Sequence, residues 1–225
     1  MDNKSAFNVN QYDGNVRKVI PFYDEIYEQI FGLIRTYFGS KEISLLDTGC
    51  GTGTLGLIAK NTPNISKMVL CDPSEKMLAD AKKKLGYYPC EYICEGSENL
   101  TFENKFDVVT AIQSHHYFDK TTRETAVRNC YKSLKPNGLF IFFENTAPNS
   151  EVGKEIMLKR LERFELKAGR TPEEVKNHSA RYNREFFPIT IKEHFELLKK
   201  TGFSSYELFW HSYMQSGFYA IKQQK

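Results

Sequence analysis

Three groups of residues in this chain have types and spacings that suggest chemistry. The first is "LLDTGCGTGTLG", residues 45–56, where Gly51, Gly53 and Gly56 stand at G-x-G-x-x-G spacing behind Asp47 and Gly49. Glycines between a strand and a helix let the backbone approach a ligand closely. The second is Asp72, ending "MVLCD", about 20 residues after the loop, where an acidic side chain accepts both hydroxyls of a ribose. The third is the pair His115 and His116 in "QSHHYF", with Glu144 at the end of "LFIFFE". Histidine ordinarily titrates near neutral pH and can take a proton from a reacting group.

Asp47 bears on which nucleotide the loop suits. A carboxylate at the end of the first strand would repel a diphosphate, but it would accept a hydrogen bond from an ammonium group. S-adenosylmethionine (SAM) carries an amino-acid ammonium, a sulfonium and no phosphate, whereas NAD carries a pyrophosphate. Asp72 suits the ribose of either.

These residues need a particular scaffold. "VRKVIPFYDEIYEQIFGLIRTYF" carries Ile26, Ile30, Leu33, Ile34 and Tyr37 at helical spacing behind Pro21, which predicts an N-terminal helix. The first 15 residues are polar and read as flexible. "ISLLD", "MVLCD", "CEYIC", "KFDVVTAI" and "LFIFFE" read as five strands, the last preceded by a "KPNG" turn. Helices fall between them, one running from about Thr121 to Leu134. This alternation predicts a parallel sheet with helices on both faces. "TIKEHFELLKKTGF" reads as a further helix, and "SYELFWH" and "GFYAIK" as a closing antiparallel pair, because only a short connection separates them. Residues 148–187 are charged and helical without a strand, with Ile156, Met157, Leu161, Phe164 and Ala168 expected on one face.

Taken in order, these segments resemble the class I SAM-dependent methyltransferases. "LLDTGCGTG" is similar to their first motif, "VLCDPSEKMLADAKKK" to the ribose-binding segment, and "CEGSENL" to the stretch beside the adenine. "FDVVTAIQSHHYFD" resembles the segment beside the methyl group, and "LKPNGLFIFFE" the fifth strand. The resemblance covers about residues 17–222. It implies one α/β domain with a Rossmann-like, seven-stranded sheet in order 3-2-1-4-5-7-6, strand 7 antiparallel. An N-terminal helical segment (1–40) and a helical cap (148–187) would complete it.

For the cofactor, the resemblance implies that Gly49, Gly51 and Gly53 border the methionine part of SAM and that Asp47 holds its amino group. Asp72 takes the ribose, Ser97 and Glu98 sit at the adenine edge, and Ala111 and Ile112 pass close to the sulfonium. "RKVIPFYDEI" resembles one branch of the family, which includes small-molecule methyltransferases and carboxy-SAM synthase, and there a tyrosine at the position of Tyr23 reaches the cofactor. The carboxy-SAM synthase motif has an asparagine where this chain has Ala111, so an ordinary methyltransferase is the expectation.

Methyl transfer is an in-line displacement in which the protein mainly aligns the reactants and excludes water. A base is needed only when the acceptor must lose a proton, and His115 and His116 are the candidates. Glu144 reads as a residue that closes the loop. Arg181 and Arg184 are candidates for recognising an anionic acceptor, and Tyr182, Phe186, Phe187, Trp210 and Tyr213 for lining its pocket. His178, His194 and His211 are scattered without metal-ligand spacing.

Composition narrows the function classes. A net charge of +3 over 225 residues is too small for an electrostatic nucleic-acid footprint. No apolar run approaches a membrane span, and the N-terminus lacks the apolar stretch of a secretory signal. Five cysteines without C-x-x-C pairs predict neither a disulfide framework nor a structural metal. The expectation is a cytoplasmic SAM-dependent methyltransferase acting on a small molecule, with any homodimer forming through the cap or the N-terminal helix. The alternatives are a tRNA-modification enzyme (methylating RNA or making carboxy-SAM), a non-catalytic SAM-binding protein and an NAD oxidoreductase.

Overall fold

The structure is a computed structural model and describes residues 9–62 and 64–223. Of the stretch expected to be flexible, residues 1–8 lie outside the described residues. From Val9 onward the chain is instead helical, forming α1 (Val9–Asn15) and a short 3-10 turn over Val16–Lys18. Val16 and Val19 are buried there, and their burial explains why a mostly polar segment is held. Next comes α2 (Tyr23–Phe38), which starts two residues after Pro21 because Phe22 takes a left-handed conformation, φ 58°.

Seven strands follow: β1 (Ile43–Thr48), β2 (Ile65–Cys71), β3 (Glu91–Ile93), β4 (Phe106–Ile112), β5 (Leu134–Asn145), β6 (Phe203–Ser212) and β7 (Gln215–Lys222). They form one sheet in the order β3-β2-β1-β4-β5-β7-β6. The first five strands pair in parallel, and β7 runs antiparallel to both of its neighbours. Order and direction match the expectation. The "KPNG" segment lies within β5 as an irregularity, with the register passing from Phe106 opposite Leu134 to Val108 opposite Leu139.

The central strands β1, β4 and β5 are buried on both faces, so the apolar side chains alternate between two cores. Leu45, Met68, Leu70, Val108, Ile141 and Phe143 face one layer, where Ile26, Ile30 and Ile34 of α2 pack. Leu46, Val69, Val109, Phe140 and Phe142 face the other, against Val127 and Cys130 of α5 (Lys120–Ser133) and Leu198 of α8 (Ile191–Thr201). The first layer is completed by α3 (Thr54–Ala59) and α4 (Glu75–Leu85).

The segment between β5 and α8 holds α6 (Glu151–Lys167) and α7 (Pro172–Ser179). Thr171 and Glu174 form a capping box with Pro172 in the first turn, the local signature of a helix start. The inward face of α6 is the expected one at Met157, Leu161, Phe164 and Ala168 and departs from it at Ile156. Leu161 is buried, but Ile156 is 53% exposed. A buried carboxylate, Glu165, takes inward space instead, paired with Arg170 and His178.

Candidate active site

A cavity of about 400 Å³ opens at the C-terminal ends of the parallel strands, where α/β sheets bind ligands. Its floor is the turn after β1. Gly49 has φ +67°, and a Cβ there would stand 2.5 Å from the Ser114 Cβ, so only glycine fits between the β1 and β4 ends. The Gly51 N–H donates to Asp72 Oδ2 at 2.9 Å, and the Ser74 N–H donates to Asp72 Oδ1 at 2.9 Å. One carboxylate thus fixes both the glycine turn and the start of α4. Asp72 lines the cavity, and burial raises its pKa, opposed by those two bonds.

Asp47 lies behind this floor, 2% exposed. The Thr110 hydroxyl donates to its Oδ1 at 2.7 Å. Burial pushes its pKa up to about 7, and the Asp72 charge adds to the rise. A cation arriving beside such a group restores its ionisation.

One wall comes from the N-terminus. Tyr12, Val16, Val19 and Ile20 line the cavity. Asp13 pins them to the glycine turn, accepting from Thr52 Oγ1 at 2.7 Å and from Lys84 Nζ at 2.8 Å. The segment after β3 supplies Gly96, Ser97 and Glu98. Asn129 of α5 donates to the Ser97 and Glu98 carbonyls, while Glu98 Oε2 is buried with no partner among the described residues.

The opposite wall is built after β4. Gln113 is left-handed, φ 55°, a conformation costly for a side-chain-bearing residue and concentrated at functional sites. Its Nε2 donates to Gln215 Oε1 at 2.5 Å. The next turn carries His115 and His116, and Glu144 at the end of β5 organises it. Glu144, 1% exposed, accepts from the His115 N–H at 3.0 Å, the His116 N–H at 2.7 Å and His116 Nδ1 at 2.8 Å. Its pKa falls to about 2 despite burial, with His116 as the main cause, so it is a carboxylate at neutral pH and Nδ1 carries the proton. His116 lines the cavity.

His115 turns away from the cavity. Its Nε2 meets Ser97 Oγ at 3.0 Å, and burial lowers its pKa to about 4. The α6–α7 region closes the far side with Leu161, His178, Arg181 and Phe186. It docks onto the histidine turn, where the Phe187 N–H donates to the His116 carbonyl at 2.7 Å and Arg123 bonds the Phe187 carbonyl.

Residues 45–138 match the model of a methyltransferase domain. The chain is 30% identical over 210 residues to a carboxy-S-adenosyl-L-methionine synthase of Trichodesmium erythraeum, covering 90% of this chain and 82% of that protein. The chain belongs to the class I SAM-dependent methyltransferases. A malonyl-[acyl-carrier protein] O-methyltransferase of Priestia megaterium is 32% identical over 115 residues, covering 51% of this chain and 41% of that one. The crystal structure of magnesium protoporphyrin IX methyltransferase from Synechocystis PCC 6803, with bound S-adenosylhomocysteine, superposes with a TM-score of 0.66 at 14% identity. It covers 92% of this chain and 86% of that one. The protein is a SAM-dependent enzyme.

Within this methyltransferase, Gly49, Gly51, Asp72, Ser97, Glu98, Ile112 and His116 line the cavity. Asp47, Gly53 and Ala111 lie just behind it in the strand ends and turn, outside its lining. At Gly53 a Cβ would stand 2.8 Å from the Ala81 Cβ, which makes this glycine a packing point for α4. Tyr23 is also outside the lining, its hydroxyl accepting from Tyr27 at 2.8 Å. Of the aromatic residues named from sequence for the acceptor side, Phe186 lines the cavity; Tyr182, Phe187, Trp210 and Tyr213 are outside the lining, as is Arg184.

Sequence reasoning passed over Tyr12, Asn145, Gln215 and His178. Tyr12 sits in a polar stretch with too few apolar residues for a periodic signal. His178 has no ligand spacing, because its partner, Glu165, is 13 positions away across a helix break.

Proposed function

We propose that this enzyme transfers the SAM methyl group to a small-molecule acceptor whose nucleophilic atom gives up a proton to His116. The observation that carries this reading is the buried Glu144 carboxylate, which fixes the proton on His116 Nδ1 while the ring stands in the cavity wall. In the neutral ring the lone pair is then on Nε2, the other nitrogen. A base so oriented contributes about 10²–10⁴ in rate when the acceptor is a phenol, enol or carbon acid.

The residues present fit the cofactor. Asp72 still has acceptor capacity for ribose hydroxyls, and Glu98 Oε2 is an orphan acceptor suited to the adenine amino group. The Gly49–Gly51 turn borders the methionine part, and Asp47 answers its ammonium from behind. Bound SAM supplies an electrophilic methyl on a cationic sulfur. The protein's share is to seat the cofactor, orient the acceptor's nucleophile, exclude water and take the proton at His116 Nε2. Arg181 and Phe186 give the acceptor side a cation and an aromatic face, which suit an anionic or planar molecule.

No helix among the described residues is long and apolar enough to cross a membrane, and all five cysteines are free. Both fit a cytoplasmic enzyme. In the test, purified protein is incubated with methyl-labelled SAM and either a metabolite extract or bulk tRNA. Label entering a small molecule but not tRNA, and lost in His116→Ala, is the expected result; label in tRNA alone overturns it. A second reading is carboxy-SAM synthesis, favoured by the name and coverage of the Trichodesmium relative. It predicts carboxylated SAM, detected by mass, only in the incubation whose metabolite extract supplies a carboxyl donor, with no methylated product.

A further inference from the structure

The cavity carries a second histidine built like the first. His178 lies near the end of α7 and lines the cavity. Its Nδ1 is 2.6 Å from Glu165 Oε1, and Glu165 is 1% exposed on α6. The other Glu165 oxygen is engaged by Arg170. The carboxylate accepts from Nδ1–H, so in the neutral ring the lone pair is on Nε2, which has no hydrogen-bond partner among the described residues. His116 and His178 both flank Phe186, their ring centroids 6.1 and 6.3 Å from its own. Two imidazoles, each with Nδ1 held by a buried glutamate, therefore flank one aromatic ring in the cavity wall.

One methyl transfer needs one base. A second acceptor nitrogen at the same face is useful only if the substrate brings a second protic group, because an imidazole lone pair facing an apolar or aprotic edge would lose its hydrogen bond to water for nothing. From this pairing we infer that His178 is a substrate-contacting residue. It accepts a hydrogen bond from a second protic heteroatom of the acceptor while His116 takes the proton from the first. The acceptor class is then a planar molecule with two hydroxyl or N–H groups. The inference rests on the reading of His116 as the base. If it holds, sites built to hydrogen-bond a group reject analogues lacking it strongly. A merely structural His178 would act as a staple between α6 and α7. Its loss would lower the melting temperature without choosing between substrates.

The full chain, loaded with S-adenosylhomocysteine, tests this by calorimetry. The probes are catechol, resorcinol and hydroquinone, which place two hydroxyls at three spacings, with phenol as the one-hydroxyl control. At least one diol is expected to bind about tenfold or more tighter than phenol. His178→Ala and Glu165→Gln are each expected to erase that preference while leaving S-adenosylhomocysteine affinity unchanged. His178→Gln, which keeps an acceptor atom, is expected to retain part of it. Equal binding of diols and phenol, no diol binding, or an unchanged preference in His178→Ala overturns the inference. Labelled methyl transfer to an extract, lost in His116→Ala but unaffected in His178→Ala, would remove the role of His178 alone and leave the methyltransferase reading standing.

Discussion

Nδ1 of His116 stands 2.8 Å from Oε2 of Glu144, and the same carboxylate also accepts the backbone N–H groups of His115 and His116. Glu144 therefore does two things at once, holding the loop after β4 in shape and setting the tautomer of the one histidine of that pair in the cavity wall.

From this, His116→Ala is expected to lower kcat by about 10²–10⁴ while S-adenosylhomocysteine binds as before. Glu144→Gln is expected to lower kcat comparably and the melting temperature as well, since the amide leaves donors in the turn without a full acceptor. Calorimetry and single-turnover assays with labelled SAM separate the two. A Glu144→Gln enzyme of full activity would remove the base assignment.

Asp72→Ala is expected to weaken S-adenosylhomocysteine by about 1–3 kcal/mol, because it strands the ribose hydroxyls and also frees the Gly51 and Ser74 N–H groups that it accepts. Titration calorimetry measures this. Unchanged affinity would place the ribose elsewhere.

The two glycines of the turn are expected to differ. Gly49→Ala adds a Cβ 2.5 Å from Ser114 to a left-handed backbone, whereas Gly51, at φ +54°, has open space around its added carbon. Gly51→Ala costs about 1–2 kcal/mol for the conformation alone, and Gly49→Ala should cost more and displace the histidine loop. Thermal unfolding of both variants ranks them, and equal losses would contradict the close approach.

Asp47 makes stability depend on pH in the direction opposite to a salt-bridged carboxylate. Its folded pKa is raised to about 7 from the ordinary 3.8, so between those values the folded state holds a proton that the unfolded chain has released. That stability is complete below the unfolded value and fades as pH rises through 7. His115 and His194 add a second slope, since burial lowers their pKa values to about 4 and about 3 from 6.5. Their stability is present above 6.5 and is lost as pH falls toward the folded values. Asp47→Asn is therefore expected to raise the ligand-free melting temperature more at pH 8 than at pH 5, and to weaken SAM at both. A variant whose stability gain does not change with pH would contradict the burial of a titrating carboxylate.

The sheet was readable because each strand is an apolar run ending at a glycine, proline or acidic residue, and because the last two strands are too close in sequence to cross over. That Asp72, Gly49 and Gly51 would share one cavity was readable because the turn after β1 and the end of β2 meet at the sheet's C-terminal edge. The acceptor side was less so. Which of His115 and His116 stands in the cavity wall follows from which imidazole Glu144 captures, 28 residues away. Glu165 reads as one more charge on a charged helix, and only the break between α6 and α7 folds His178 back onto it. Only Ile156 departs from the expected face of α6, and apolar spacing gave no sign that the paired Glu165 would be buried there. Of the N-terminal wall, Tyr12 escaped notice because it stands in a hydrophilic stretch, whereas Val16, Val19 and Ile20 lie in the apolar segment around Pro21.

The Asp13 clasp ties the first helix to the same turn that seats the cofactor, through Thr52 and Lys84. The wall of Tyr12, Val16, Val19 and Ile20 is thereby fastened to the cavity floor by a polar contact as well as by apolar packing. Mobile ions weaken a partly exposed pair of this kind, which makes the hold on that wall answerable to ionic strength.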